Sequence, residues 1–251
     1  MESYRDFARV YDEFMDQTPY DEWLLNILNI FKEYKIDKDT QVLDLGCGTG
    51  KMARKLAREG YQVTAVDNSM DMLEIAASEE DDHILYVLQD MVSLELPQQV
   101  DAAVSICDCM NYILEEEDLK EAFRRVREFL KEDGVFVFDM NSHYKYKEIL
   151  ACNTFAEDRE DASFIWDNFY DEEEMINEYD LTLFIKEGEL FRKFEETHYQ
   201  RCYSLDEVKE AAQEEVVSFL YEAGFSSVRV LDAETMDEVK EDTQRLYYIA
   251  N

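Results

Sequence analysis

Apolar residues recur at helical spacing along the start of the chain. Tyr4, Phe7, Ala8, Tyr11, Phe14 and Met15 form one series, and Trp23, Leu24, Ile27, Leu28, Phe31 and Tyr34 form a second. Pro19 lies between them and predicts the break. From residue 40 to 140 the pattern changes to short apolar runs, "QVLDL", "YQVTAVD", "HILYVLQD", "DAAVSIC" and "GVFVFDM", with amphipathic segments between several of them. The clearest covers 117–131, where Leu119, Ala122, Phe123, Val126, Phe129 and Leu130 mark one face. Short runs buried on both faces and joined by helices predict a parallel α/β sheet. Right-handed crossovers then bring the carboxyl ends of the strands to one edge, where ligands bind.

After Asp139 the alternation becomes strand-like and aromatic, as in "ASFIWDNFYDEEEMINEYDLTLFIKEGELFRKFEETHYQRCYS", with a hairpin turn predicted at Glu187-Gly188. Residues 145–203 therefore read as an inserted antiparallel ribbon of about three strands. The α/β pattern resumes with a helix, "LDEVKEAAQEEVVSFLYEAGF", which stops at Gly224, then "SSVRVLD" and "RLYYIAN", the makings of a closing hairpin. The expected organisation is one α/β unit from residues 1–144 and 204–251, interrupted by the ribbon at 145–203.

Three of the seven glycines, Gly46, Gly48 and Gly50, fall within "VLDLGCGTG", between the first strand and a helix. A strand, a glycine turn and a helix suit a nucleotide. The dinucleotide fingerprint G-x-G-x-x-G wants its third glycine one residue later, where Lys51 stands. The phosphate-loop pattern needs four residues between its glycines, followed by Gly-Lys-Ser/Thr, and is also absent.

The run does resemble motif I of the class I S-adenosylmethionine-dependent methyltransferases. "VTAVDNSMDMLEIA", "YVLQDM", "DAAVSICDCMNYI" and "LKEDGVFVFDMNS" resemble that family's second to fifth strand motifs, and "AGF…VRV…RLYYIA" its sixth and seventh. The resemblance covers residues 40–140 and 204–250. It implies a Rossmann-like seven-stranded sheet and S-adenosyl-L-methionine as cofactor, with S-adenosyl-L-homocysteine as product. It also implies roles: Gly46, Cys47 and Gly48 along the methionine moiety, Asp44 at the loop or the ammonium, and Asp67 on the ribose hydroxyls. Asn68 would lie toward the adenine edge, Asp90 would accept from the adenine amino group, and Met91 would pack on the ring. Ser69 is available to cap the helix after Asp67. "FARVYDEFM", "DMNSHYKY", the β insert and "EETHYQRCYS" resemble a bacterial group of small-molecule methyltransferases in which the insert forms a lid over the substrate pocket.

Charge narrows the acceptor. With 25 basic and 60 acidic residues, the net charge of −35 repels a polyanion, so nucleic acid is not an expected partner and a small molecule is. The acids are densest at 156–180, where eleven stand against one base. Five cysteines without C-x-x-C spacing argue for reduced thiols and against a metal site. No apolar run reaches membrane-spanning length, and the N-terminus lacks a targeting pattern, so the expectation is a cytoplasmic protein, monomeric or homodimeric.

Methyl transfer from a sulfonium needs position, desolvation and at most a base. His198, on the last strand of the insert, is the sharper base candidate, with Tyr11 and His143 as others. Cys107, Asp108, Asn111, Tyr112, Asn141, Tyr144, Arg201 and Tyr203 lie where an acceptor would be held, Cys107 also beside the cofactor. His83 reads as an exposed loop residue. The chosen reading is transfer to an N or O nucleophile of a small metabolite. Three alternatives stay open at this stage: an RNA (tRNA) methyltransferase whose substrate is delivered by a basic partner, a non-catalytic cofactor-binding interaction protein and, last, a nicotinamide oxidoreductase.

Overall fold

The computed structural model describes residues 6–79, 81–203 and 211–251. Helices α1 (Ala8–Phe14) and α2 (Tyr20–Glu33) lead into β1 (Gln41–Leu45), α3 (Lys51–Arg58), β2 (Gln62–Asp67), α4 (Met70–Ala76) and β3 (Ile84–Leu88). Then come β4 (Val100–Ser105), α5 (Glu116–Phe129) and β5 (Leu130–Asn141). Four strands follow: β6 (Thr154–Asp158), β7 (Ala162–Asp171), β8 (Ile176–Glu187) and β9 (Leu190–Arg201). Helix α6 (Ala211–Glu222), β10 (Val228–Asp232) and β11 (Arg245–Ala250) complete the chain. Tyr4 of the first amphipathic series and residues 205–210 of the last predicted helix lie outside the described residues.

The main sheet has the order β10-β11-β5-β4-β1-β2-β3. The pairs within β5-β4-β1-β2-β3 are parallel, and β11 runs against both its neighbours. This is the Rossmann-like methyltransferase arrangement with the predicted closing hairpin. The period of two sorts the strand residues onto two buried faces. Leu43, Leu45, Phe136 and Phe138 pack with Phe123 of α5 and Leu220 of α6. Val42, Val104, Val135 and Val137 pack with Phe31 of α2 and Leu56 of α3. The chain order reverses at β1, which has β2 on one side and β4 on the other, so a crevice opens at their carboxyl ends.

The second sheet, β6-β7-β8-β9, is antiparallel and has four strands where the sequence suggested about three. The additional strand is β6, a five-residue edge whose alternating exposed and half-buried pattern carries little apolar signal. Residues 145–150, expected to begin the ribbon, form a π-helical turn that buries Tyr146 and Leu150. Helix α1 belongs with this sheet as much as with the main one. Val10 packs against Ala162, Leu181, Leu183 and Ile185, and Arg159 of the β6–β7 turn pairs with Asp16 (2.9 Å).

Candidate cofactor site

The crevice is a cavity of about 670 Å³. Its floor is the glycine loop. Gly46 has φ +76, and a Cβ there would lie 2.7 Å from Cys109 Sγ, so a side chain would be both strained and obstructed. Gly48 has φ +53, and a Cβ there would meet nothing within 4 Å, so its backbone faces open cavity and a ligand can approach it closely. Lys51, the residue that breaks the dinucleotide fingerprint, has a structural role. Its Nζ donates to the Asp12 and Met15 carbonyls (3.3 and 3.4 Å), while Thr49 Oγ1 donates to Asp12 Oδ1 (2.7 Å). These bonds tie α1 over the loop.

Two carboxylates define the polar chemistry. Asp67, at the end of β2, accepts from the Gly48 N–H through Oδ2 and from the Ser69 N–H through Oδ1, both at 2.8 Å. Each oxygen keeps a lone pair for a second donor. Ser69 caps α4, as its position predicted, accepting from Met72 N–H. Asp44 is 1% exposed, and its Oδ2 has no hydrogen-bond partner. Burial, reinforced by the charge of Asp67, pushes its pKa up to about 7. A buried carboxylate oxygen without a donor fits an ammonium group.

Gly46, Cys47, Gly48, Asn68, Met91, Cys107, Tyr11 and Tyr112 also line the cavity. Asp90 does not. It is exposed and accepts from Val92 N–H to cap a 3-10 turn, while Gln89 and Met91 on either side supply the wall. Beyond β4, Cys107 and Asp108 both adopt left-handed backbone (φ 67 and 54). Their N–H groups donate to the Asp139 carboxylate (3.1 and 2.6 Å). This turn aims Cys107 at the cavity. Burial pushes the Cys107 thiol up to about 12, with Asp108 adding to the shift, so it contributes a neutral wall and not a thiolate nucleophile.

The remaining candidates have other tasks. Asn111 is fully buried: its Nδ2 donates to the Arg201 carbonyl (2.8 Å) and its Oδ1 accepts from Asn141 N–H (2.9 Å). Arg201 donates to the Leu114 carbonyl and pairs with Glu116 (3.1 and 3.0 Å). Both stitch β9 to the segment after β4 instead of facing the cavity. His143 lies edge-on to Tyr170 (6.0 Å), and Tyr144 opens the π-helical turn; neither lines the cavity. His83, exposed as expected, bonds Gln62. His198, only 1% exposed, is also outside the lining. Its Nε2 is 3.1 Å from Glu196 Oε2 and its Nδ1 is 3.4 Å from Tyr112 Oη. Its ring stacks on Tyr179, whose hydroxyl bonds that of Tyr112. Glu196 Oε1 accepts from the N–H groups of Asp6 and Phe7 (2.6 and 2.8 Å). Burial opposes the charge of Glu196, but His198 and these two amides hold its pKa below the ordinary range.

The sequence reading missed Arg245 and the charged cluster it forms behind the Cys107 turn. Arg245 pairs with Asp139 (2.9 Å) and with Asp108 (2.7 Å), and Gln200 donates to Asp108 (2.7 Å). An acid inside the apolar run "GVFVFDM" was the available signal, since a charge in a buried strand needs a partner.

The fold and the glycine-and-carboxylate crevice define a class I methyltransferase, and comparisons with known proteins agree. A family model described as a methyltransferase domain matches residues 42–134. A relative from Bacillus subtilis (strain 168), YqeM, named as a candidate methyltransferase, is 35% identical over 98% of this chain and 96% of its own. The solved structure of an S-adenosylmethionine-dependent methyltransferase from Clostridium acetobutylicum ATCC 824 matches with TM-score 0.84 and 27% identity, covering 100% of this chain and 99% of that one. The sugar N-methyltransferase KedS8 from Streptoalloteichus sp ATCC 53650 shares the fold, with TM-score 0.77, 17% identity and coverage of 96% and 92%. The chain belongs to the S-adenosylmethionine-dependent class I methyltransferases.

Asp44 gives a pH prediction. Its raised pKa leaves it partly protonated near neutrality, and an adjacent ammonium favours the ionised form. Binding of S-adenosylhomocysteine at pH 6.5 should therefore release a fraction of a proton. The affinity should rise from pH 6 to pH 8, and both effects should vanish in Asp44→Asn. Calorimetry in buffers of different ionisation enthalpy measures the proton directly; uptake, or no exchange, would reject the Asp44–ammonium pairing.

Proposed function

We propose that the protein transfers the methyl group of S-adenosylmethionine to an N or O nucleophile of a small metabolite. The observation that carries this reading is the single cavity wall that joins Asp44, Gly48 and Asp67 on one side to Tyr11, Cys107 and Tyr112 on the other. The cofactor supplies the activated methyl when bound. Asp67 would hold the ribose hydroxyls, Asp44 the ammonium, Gly46, Cys47 and Gly48 the methionine backbone, and Asn68 and Met91 the adenine end. Asp90 is assigned no more than its cap.

Tyr112 is the cavity-facing member of the Tyr112–His198–Glu196 chain. We assign it the proton that the acceptor loses, with His198 as the group that takes the proton over and Glu196 as its orienting carboxylate. Tyr11 closes the cavity from α1, and the 145–203 segment, with its strong acidic charge, acts as lid and substrate wall. Support for a small acceptor comes from the absence of any Lys or Arg in the cavity wall among the described residues, which leaves no ion-pair contact for a phosphate backbone. No helix among the described residues is long and apolar enough to cross a membrane. The sugar N-methyltransferase KedS8 provides a precedent for small acceptors on this fold.

The test is to incubate the protein with methyl-labelled cofactor and either a small-metabolite extract or purified tRNA. Label should enter the small-molecule fraction, and His198→Gln should slow its transfer. Label confined to tRNA would contradict the proposal.

A further inference from the structure

The wall of the cavity has a one-sided charge. Its ionisable side chains of fixed sign are Asp44, Asp67 and Asp71, and no Lys, Arg or His is among the described residues that line it. Cations behind the wall are engaged: Arg245 by Asp108 and Asp139, Lys145 by Asn141 Oδ1 (2.8 Å), Lys51 by Asp12 (3.3 Å), and Arg54 by the Thr49 carbonyl (2.8 Å) and Glu79 (3.4 Å). Four tyrosines contribute to the wall. Tyr11 comes from α1, Tyr20 from the first turn of α2, Tyr112 from the turn after β4 and Tyr199 from β9. Tyr11 Oη lies 3.8 Å from Cys107 Sγ, which places that ring at the strand end. Burial raises Tyr11 and Tyr20 far above the range in which a phenol ionises, so these rings act as neutral quadrupoles with negative faces. Tyr20 already receives one cation, Lys51 Nζ, 5.3 Å from its ring centroid.

An anionic acceptor would find no counter-charge in this wall. A cationic one would find aromatic faces, and the field of a chain with net charge −35 would draw it in. We propose that the acceptor is a small organic cation, an amine that arrives protonated, and that Tyr11, Tyr20, Tyr112 and Tyr199 form the subsite that receives it. This rests on the methyltransferase reading and narrows its acceptor to nitrogen.

The chemistry balances. The ammonium loses one proton, which leaves through Tyr112 and His198 to solvent. The freed nitrogen lone pair attacks the methyl carbon, the N–C bond forms, and the C–S pair returns to sulfur as a neutral thioether. The positive charge moves from sulfur to the methylated nitrogen and stays between the carboxylates and the tyrosine faces throughout.

The test needs no knowledge of the natural acceptor. Protein saturated with S-adenosylhomocysteine is titrated, by ligand-observed NMR, with choline, with its neutral isostere 3,3-dimethyl-1-butanol and with the anion 3,3-dimethylbutanoate. Choline should bind about tenfold more tightly than the alcohol, the scale of a desolvated cation–π contact. The preference should survive Tyr112→Phe and shrink at least threefold in Tyr112→Leu. Tyr199→Leu, at a 41% exposed position where folding is not at risk, should reduce it as well. Equal binding of choline and the alcohol, tighter binding of the carboxylate, or binding of none of the three would overturn the proposal. Failure of S-adenosylhomocysteine itself to bind would instead count against the cofactor site on which the proposal stands.

Discussion

Asp67→Ala should lower the affinity for S-adenosylhomocysteine by about 100-fold or more while leaving the protein folded. The carboxylate holds two positions at once. It accepts the Gly48 and Ser69 N–H groups, which fixes the glycine loop against the start of α4, and its remaining lone pairs face the cavity. Removing it costs two charge-assisted contacts to the ribose, each worth roughly 1.5–3 kcal/mol, and also loosens the loop. Asp67→Asn keeps the shape but turns one acceptor into a donor, so it should recover only part of the affinity. Burial raises the pKa of Asp67, so its ionised form is a cost to the folded state, fully present above the folded pKa and relieved as pH falls through it. Unchanged affinity in Asp67→Ala, measured by equilibrium fluorescence or calorimetry, would remove Asp67 from the site.

Arg245→Met should destabilise the protein by about 3–5 kcal/mol, because it strands the buried Asp139 and the partly buried Asp108. Asp139 is 1% exposed, and its oxygens also accept the N–H groups that hold Cys107 and Asp108 in left-handed backbone. At this chain length the loss corresponds to a fall in Tm of about 10 °C. In the native protein burial works against the Asp108 charge, but Arg245, followed by Lys145 and Gln200, holds its pKa below the ordinary value. Its contribution to stability is therefore present above about pH 4 and lost as pH falls through the depressed value. In Arg245→Met, Asp108 loses the partner that chiefly holds its pKa down and shifts toward protonation, so the deficit should be largest at pH 8 and narrow toward pH 5. Adding Asp139→Asn should recover part of the loss at pH 8. A deficit below about 1 kcal/mol in urea denaturation, the scale of an exposed pair, would show that the cluster is not the buried network described.

The main fold was legible because a parallel sheet buried on both faces leaves a pattern that few other structures share. The strands of the core run as short apolar stretches, and the glycines crowd where β1 turns into α3. Asp44, Asp67 and the glycine loop could be placed because each is fixed by a strand end next to it in sequence. The substrate wall was less legible for a physical reason: its residues meet across long separations. Asn111 and Arg201 looked like polar residues free to bind, yet ninety residues apart they bond each other's segments. His198 could be singled out in the sequence as a candidate base, but its burial against Tyr112, Tyr179 and Glu196 depends on partners far away in the chain. Tyr20 and Tyr199 escaped notice because one begins a helix and the other occupies a half-exposed position on β9, places at which a tyrosine usually needs no explanation. Lys51 was read only as a residue that excludes dinucleotides, and its bonds to α1 could not be seen from a local motif.

The most direct measurement is a calorimetric titration of the unaltered protein with S-adenosylhomocysteine, beside an identical titration with NAD. Micromolar binding of S-adenosylhomocysteine at one site per chain, with no heat from NAD, is the result that the crevice of Asp44, Gly48 and Asp67 predicts. Binding of NAD with comparable affinity, or no binding of S-adenosylhomocysteine, would contradict it.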